Sequence, residues 1–415
     1  MVPDSISKLD LVQAQISEIP EDWQLCKVGE ALRIRNNFRK PISQEVRETM
    51  KGQYPYYGPT KIQDYISEYE QDGIYALIGE DGDHFLKYAT MPQTQFISGK
   101  CTVNNHAHIL ESSSICDSEW FFNYFKHRNI TNFLSRQGAG RFKLNKATLE
   151  KLPLLVPPLP EQRQIAQILS TWDRGIATTE KLIDASKQQK KALMQQLLTG
   201  KKRLVDPETG KAFEGVWEEV KLYDVTDVRD GTHDSPEFVD KGYPLVTSKN
   251  LLASGKLDLN NVKHISEDDY LQINKRSNVD VGDILFGMIG TIGNPVRVCS
   301  SDYAIKNVAL LKEKGSLLNS FLIHYLSSIN IEKQFHKLNA GGTQKFIALG
   351  VIRNLIVQMP KIEEQQKIAS VLNAADKDIE LLEAKLAYFK QEKKALMQQL
   401  LTGKRRVMVA DTEAA

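Results

Sequence analysis

Nowhere in this 415-residue chain is there an apolar run of about 18 residues, and Asp4, Lys8 and Asp10 break up any hydrophobic region at its N-terminus. Neither a membrane-spanning helix nor a secretory leader is expected, and a soluble, cytoplasmic protein with no membrane partner is. Cysteine is scarce. Cys26, Cys101, Cys116 and Cys299 stand alone, with no CxxC pair and no matched histidines, so neither a disulfide framework nor a structural metal site is expected. Net charge is only +2, from 54 basic and 52 acidic side chains, and so gives no global sign of a nucleic-acid partner.

Catalytic motifs are missing as well. The chain has no GxxxxGK[ST] loop, no HExxH and no NPPY-type tetrapeptide. LVPPLP (Leu155 to Pro160) puts prolines where an adenine methyltransferase needs Asn and an aromatic to hold a flipped base. Gly287, Gly290 and Gly293 hint at a phosphate cradle, but no basic residue follows at the required spacing and no helix clearly starts there. No catalytic residue and no bound cofactor is therefore assigned.

What is present is repetition. KKALMQQLLTGK occurs at Lys190 to Lys201 and again, unchanged, at Lys393 to Lys404, an offset of 393 − 190 = 203 in a chain of 415. The register extends further: Pro157, Glu161-Gln162 and Ile165-Ala166 return as Pro360, Glu364-Gln365 and Ile368-Ala369. A second match opens each half, where Trp23, Leu25 and Val28 resemble Trp217, Val220 and Leu222. Each half thus has a variable stretch followed by a near-constant one, as a repeated scaffold with two different payloads would.

The constant stretches carry a helical seam. Core-type positions run Trp172, Ile176, Thr179, Ile183, Ser186, Lys190, Leu193, Leu197, and again Ala375, Ile379, Leu382, Leu386, Phe389, Lys393, Leu396, Leu400. Steps of four and three are the signature of a helix that buries a narrow stripe against another helix. No proline interrupts Glu161 to Thr199 or Glu364 to Thr402, and Gly200 and Gly403 stand where C-caps belong. At 1.5 Å per residue each rod is roughly 60 Å long. Intramolecular pairing is favoured over a homodimeric coiled coil, with the weak seam residues Thr179 and Ser186 facing Leu382 and Phe389, and Gly175 marks a soft spot.

Charge is clustered at the ends of these helices. Lys187, Lys190, Lys191, Lys201, Lys202 and Arg203 meet no acid between Asp184 and Asp206; Lys390, Lys393, Lys394, Lys404, Arg405 and Arg406 meet only Glu392. Two readings stand: complementing the helix dipole, or lying beside DNA phosphates. The variable stretches look like α/β domains rich in turns. GQYPYYGPTKIQDY (Gly52 to Tyr65) and RDGTHDSP (Arg229 to Pro236) suggest loops, GYPLVTSKN (Gly242 to Asn250) a strand then a loop, and GDILFGMIGTIGN (Gly282 to Asn294) a buried strand ending in a glycine hinge. Tyrosines and lysines there could stack on sugars and pair with phosphates, or merely pack and turn.

Taken together these motifs resemble the DNA-specificity subunit of type I restriction-modification systems, over essentially the whole chain. The most specific elements are LVPPLPEQRQIAQIL (Leu155 to Leu169) and MPKIEEQQKIASVL (Met359 to Leu372), each with its KKALMQQLLTGK. The second half adds DGTHDSP, LVTSKN, GDILF and GGTQKF (Gly341 to Phe346) in family order; the first adds YPYYGP and RQGAGRFKL (Arg136 to Leu144). Lys361 replaces the counterpart of Pro158, which unsettles where the second helix starts.

The resemblance implies two tandem α/β (α+β) target-recognition domains, each followed by a long helix, with the helices paired as an antiparallel intramolecular coiled coil in a pseudo-twofold repeat. The boundaries expected are 1–153 and 204–356 for the recognition domains, 154–203 and 357–406 for the helical regions, and 407–415 for a flexible tail. It further implies that the chain itself is not an enzyme. Double-stranded DNA, two modification subunits and two restriction subunits would be its partners, with S-adenosylmethionine, ATP and Mg held by those subunits. Each domain would read one half of a bipartite, asymmetric target, and the helices would set the spacer, directing N6-adenine methylation or restriction. The rivals are an enzyme remnant and a coiled-coil adaptor without sequence-specific DNA recognition. For DNA contacts the loops are favoured over strands: Lys51, Tyr54, Tyr57, Asn104 and His106 in the first domain, and Thr232, His233, Lys249, Asn250, Gln344 and Lys345 in the second.

Overall fold

Both heptad-patterned stretches are continuous α-helices, Leu159–Leu197 and Ile362–Leu400, of 39 residues each. Their first and last residues stand at the same offset of 203. Pro158 and Lys361 play one part where the two helices begin, since their carbonyls accept the amides of Gln162 and Gln365, both at 3.0 Å. The lysine therefore leaves the start of the second helix unmoved. At the other end Gly200 and Gly403 take φ of +66° and +68°, the left-handed conformation that ends a helix. A β-carbon on Gly403 would lie 2.2 Å from Pro20 Cγ, so only glycine fits there.

The computed structural model describes residues 6–137, 141–338 and 346–408. The chain forms two compact units, residues 1–179 with 385–415, and residues 180–384. Each holds a stretch of both long helices. Among the described residues no helix is long and apolar enough to cross a membrane, and no group of three His, Cys, Asp or Glu could hold a metal ion.

In the first unit a six-stranded sheet runs in the order Arg33–Ile34, Ala107–Glu111, Gln71–Gly79, Thr94–Val103, Lys51–Tyr57, Ile62–Ile66. Neighbours are antiparallel except Lys51–Tyr57 beside Thr94–Val103, where Tyr57 pairs with Val103 in parallel. The period-two pleat divides the central strand between two cores. Ala76 and Ile78 pack with Trp120, Phe121 and Phe125 of helix Ser118–Phe125, while Tyr75 and Leu77 pack with Ile97, Val103 and Ile109. Because both faces are covered, the segment shows a continuous apolar run instead of alternation.

In the second unit two four-stranded sheets form. One orders Thr226–Asp230, Val308–Glu313, Ile284–Gly287 and Gly293–Arg297; the other orders Phe238–Val239, Lys263–Ile265, Tyr243–Thr247 and Ala304–Lys306. The last two strands are parallel, with Thr247 opposite Lys306. Ile284–Gly287 is wholly buried and turns back as a hairpin through Gly290 and Gly293, both with positive φ. Elsewhere the variable regions hold more strand than expected. The tyrosine-rich segment, expected to be a loop, is the hairpin Lys51–Tyr57 with Ile62–Ile66.

Each unit is closed by the same device. In the first, strand Gln24–Lys27 pairs with Pro153–Val156 just before the helix, and Trp23 Nε1 donates to Glu161 Oε2 at 3.0 Å. Arg406, just past the end of the second helix, donates from Nε and Nη2 to both oxygens of Glu161 at 2.8 and 2.9 Å. In the second unit Glu218–Lys221 pairs with Ile356–Met359, Trp217 Nε1 donates to Glu364 Oε2 at 3.0 Å, and Arg203 grips both oxygens at 2.6 and 2.8 Å. The two carboxylates are 3% and 2% exposed. The adjacent glutamines also repeat: Gln162 donates to Ile115 O and Pro157 O and accepts from Asp117 N, while Gln365 donates to Ser316 O and Pro360 O and accepts from Leu318 N. The repeated Glu-Gln is thus a fold-closing pair.

Within each unit the two helix stretches run antiparallel. Lys393 pairs with Asp173 in the first, and Lys190 with Asp376 and Lys187 with Glu383 (2.7 Å) in the second. These bonds give five of the twelve clustered cations, Arg203 and Arg406 included, a third role beyond the two read from the sequence, since they pair with carboxylates of the other long helix. None of the seam positions is fully exposed; Thr179, Ile183, Leu197, Ile379, Lys393 and Leu400 are buried. Phe389 meets Trp172 edge-on, centroids 5.5 Å apart, and lies 3.7 Å from where a β-carbon of Gly175 would stand. The expected soft spot is therefore an unbroken turn whose bare face receives a ring, one turn before Thr179.

Glu364→Ala would leave the Trp217 indole N–H and Arg203 without their buried acceptor, at a cost of about 3 kcal/mol. A urea titration should show the midpoint fall accordingly; a loss under about 0.5 kcal/mol, the range of neutral surface changes, would remove the carboxylate from its closing role.

Candidate nucleic-acid interface

In the second unit the parallel pair Tyr243–Thr247 and Ala304–Lys306 ends at a cleft of about 390 Å³. Lys249, Lys263 and Lys306 line it with Thr247, Ser248 and Asn307, and no carboxylate does. The Ser248 hydroxyl builds its floor, accepting the amides of Met288 (3.0 Å) and Ile289 (3.3 Å) while donating to Asn307 O (3.1 Å). The three ammonium groups create a local positive field that the chain's near-zero net charge conceals. Lys263 Nζ stands 4.1 Å from the centroid of the half-exposed Phe238 ring, and Lys306 Nζ donates to Ser235 Oγ at 2.7 Å. Lys249 is exposed. Cations beside an exposed aromatic suit a nucleic-acid backbone and its bases.

Of the residues expected there, Lys249 and Asn250 both line the cleft. Asn250 is 5% exposed, and its amide is committed: Nδ2 donates to Asp258 O and Asn261 O, and Oδ1 accepts from Thr247. Thr232 and His233 lie on the neighbouring loop, where His233 bonds Asp230 Oδ2 (2.9 Å) and Asn307 Oδ1 (2.7 Å). The Asp230 carboxylate lifts the imidazole pKa above its ordinary value. Gln344 and Lys345 lie outside the described residues.

The first unit has the matching strand ends with different chemistry. Asn104 follows strand Thr94–Val103 just as Asn307 follows Ala304–Lys306, and 307 − 104 is again 203. Asn104 is 4% exposed; it donates to Gln63 Oε1 and accepts from the His106 amide, so it holds a turn. His106 is exposed and bonds Asp81 at 3.0 Å. Tyr57 O accepts the Asn104 amide, which brings Tyr57, Asn104 and His106 together. Lys51 and Tyr54 stand apart along the strand. Lys51 grips both oxygens of Asp64 at 2.7 Å, which holds that carboxyl below its usual range, and Tyr54 packs on Tyr69 at 5.0 Å. The preference for loops over strands is therefore corrected for Lys51, Tyr54 and Tyr57, all three in Lys51–Tyr57.

The sequence profile of the type I restriction modification DNA specificity domain matches residues 20–187 and again 214–390. The chain belongs to that family. It is similar to the type I restriction enzyme MjaVIII specificity subunit of Methanocaldococcus jannaschii, 28% identical over 407 residues, 94% of each chain. It is also 24% identical to the EcoBI specificity subunit of Escherichia coli over 406 residues, 88% of this chain and 82% of that one. In fold it resembles the crystal structure of the type I restriction-modification S subunit from M. genitalium, with a TM-score of 0.63 at 13% identity, over 92% of this chain and 96% of that one.

Within this specificity-family chain, sequence reasoning missed Phe238, Lys263, Lys306 and Asn307. The recurrence of an asparagine at the 203 offset from Asn104 could have found the last. The lysines carry no such signal, since strand pairing alone brings residues 249, 263 and 306 to one cleft.

Lys263→Ala should weaken binding to all duplex sequences alike and reduce the salt slope by about one. Asn250→Ala should instead cost about 1 to 3 kcal/mol of stability through its emptied buried bonds. Fluorescence anisotropy across a salt series and thermal melts separate the two; a base-specific effect of Lys263→Ala would contradict this division.

Proposed function

We propose that this chain is the sequence-reading subunit of a type I restriction-modification complex, in which each of two recognition domains reads one half of a bipartite, asymmetric DNA target. The observation that carries this reading is one duplicated closing frame, Trp23–Glu161–Arg406 and Trp217–Glu364–Arg203, beneath two differently built variable regions. A repeated frame with unlike payloads suits an asymmetric target, because identical half-sites would need identical readers. In this reading residues 1–153 and 204–356 are the recognition domains, and 154–203 and 357–406 are helical regions that pair as a coiled coil to set the spacer length. Residues 407–415 form the tail.

The chain is non-catalytic and carries no cofactor of its own. Two modification subunits, holding S-adenosylmethionine for N6-adenine methylation, dock on the helical regions; two restriction subunits supply ATP-driven, Mg-dependent work. The complex acts in the cytoplasm beside the DNA. Contacts to DNA come from His106 in the first domain and from Thr232, Lys249, Lys263, Lys306 and Asn307 in the second, where His233 supports Asn307 from behind, with Gln344 and Lys345 as further members. The seam residues Trp172, Ile176, Ile183, Leu193, Leu197, Ile379, Leu382, Leu386, Phe389, Leu396 and Leu400 hold the helix pair.

Methylome sequencing of a host expressing the chain with its modification subunit, beside a host whose copy lacks Lys190 to Leu197, tests the reading. N6-methyladenine should appear at one split, asymmetric motif and be lost or re-spaced by the deletion. The absence of any motif that depends on this chain would favour a protein-binding adaptor.

A further inference from the structure

Asn307 is a non-glycine residue with a positive φ, +54°, and it lies at the rim of the lysine-lined cleft. Its backbone is held on both sides, the amide donating to Thr232 O (3.2 Å) and the carbonyl accepting from Ser248 Oγ (3.1 Å). A left-handed backbone is costly for an L residue and cheapest for Asn or Asp among those with a β-carbon. Asn307 lines the cleft and its side-chain Oδ1 is bonded to His233 Nδ1 at 2.7 Å.

That amide has two unlike ends, and His233 selects between them. Asp230 is 6% exposed, and its carboxylate is bonded to Arg276 as well as to His233 Nε2. A carboxylate only accepts, so Nε2 carries a proton in every state. The other ring nitrogen, Nδ1, is then a donor in the imidazolium and an acceptor in the neutral ring. Facing the imidazolium, Asn307 must turn Oδ1 inward and present its NH2 to the cleft. Facing the neutral ring it must turn its NH2 inward and present Oδ1.

We propose that Asn307 contacts a base edge in the second half-site and that His233, as a positioning residue, sets whether its amide offers DNA a donor or an acceptor; this rests on the DNA-reading function proposed above. With the donor outward the partner is a purine N7, guanine O6 or thymine O4; with the acceptor outward it is the exocyclic amine of adenine or cytosine. The paired adenine contact that a free asparagine makes is ruled out, since one end of the amide always belongs to His233. Asp230 raises the imidazole pKa, so the donor state extends above pH 6.5 and gives way as pH rises through the raised value. The other charged group acting on the ring is Arg276 on helix Glu267–Ser277; Asp234 follows on the same loop and bonds Thr232, and Lys306 on the adjoining strand is held by Ser235.

The test uses the full chain with its modification subunit, bound to duplexes with single base changes across both half-sites, at pH 6 and pH 9. One base pair of the second half-site should change its preference about five- to tenfold between the two pH values, the worth of one hydrogen bond. Asn307→Gly, which keeps the backbone conformation, and His233→Gln, which does not titrate, should each abolish that pH dependence and leave the first half-site untouched. A pH-independent preference in the wild type, or an unchanged pH profile in either variant, overturns the proposal while DNA reading stands. Absence of sequence preference at both half-sites overturns the DNA-reading function as well.

Discussion

A buried carboxylate at the start of each long helix is the interaction on which the rest of the structure depends. Glu161 and Glu364 have almost no access to water and so must be fully satisfied from within the protein. Each takes one indole N–H and one forked guanidinium, and the donors come from stretches of chain far away: Trp23 and Arg406 for Glu161, Trp217 and Arg203 for Glu364. Three remote segments are thereby tied at one point. Arginine suits this place because its planar fork matches both oxygens at once.

The closing frame is conservative where the payload is free. Around each carboxylate the same parts recur, namely a short strand pair, a glutamine bonded to a turn, and a helix end stopped by a left-handed glycine. Farther out, both units keep a parallel strand pair that ends in asparagine, but they use it differently. Asn104 is sealed into a turn, whereas Asn307 stands at an open cleft among three lysines. A rigid base under divergent strand ends is a sound way to hold recognition groups, since precision comes from the scaffold and variety from its edges.

Much of the frame was legible in the sequence because its signals are local. The heptad steps, the two glycines and the repeated Glu-Gln all lie within one helix of each other, and α-helical geometry converts such spacing directly into one face. The tandem resemblance extended this to two domains, and the family profile matches both halves. Partner choice was not legible. The basic clusters suggested phosphates or helix dipoles, yet Lys190 and Lys393 find aspartates 186 and 220 residues away. Sequence spacing carries nothing about such pairs. The tyrosine-rich hairpin misled in another way: Gly52, Pro55 and Gly58 read as turn signals, while pairing with Ile62–Ile66 and Thr94–Val103 made the segment a strand. Tertiary pairing overrode local propensity there. Asn250 was ambiguous for another reason, because an asparagine suited to reading a base is equally suited to stitching a loop.

Hydrogen–deuterium exchange on the intact protein, comparing wild type with Glu161→Gln, tests most directly the claim that these carboxylates join remote segments. The account predicts lost protection in two places distant in sequence from the substitution, the strand after Trp23 and the last turns of the second long helix before Arg406. Changes confined to the residues around position 161 would contradict it.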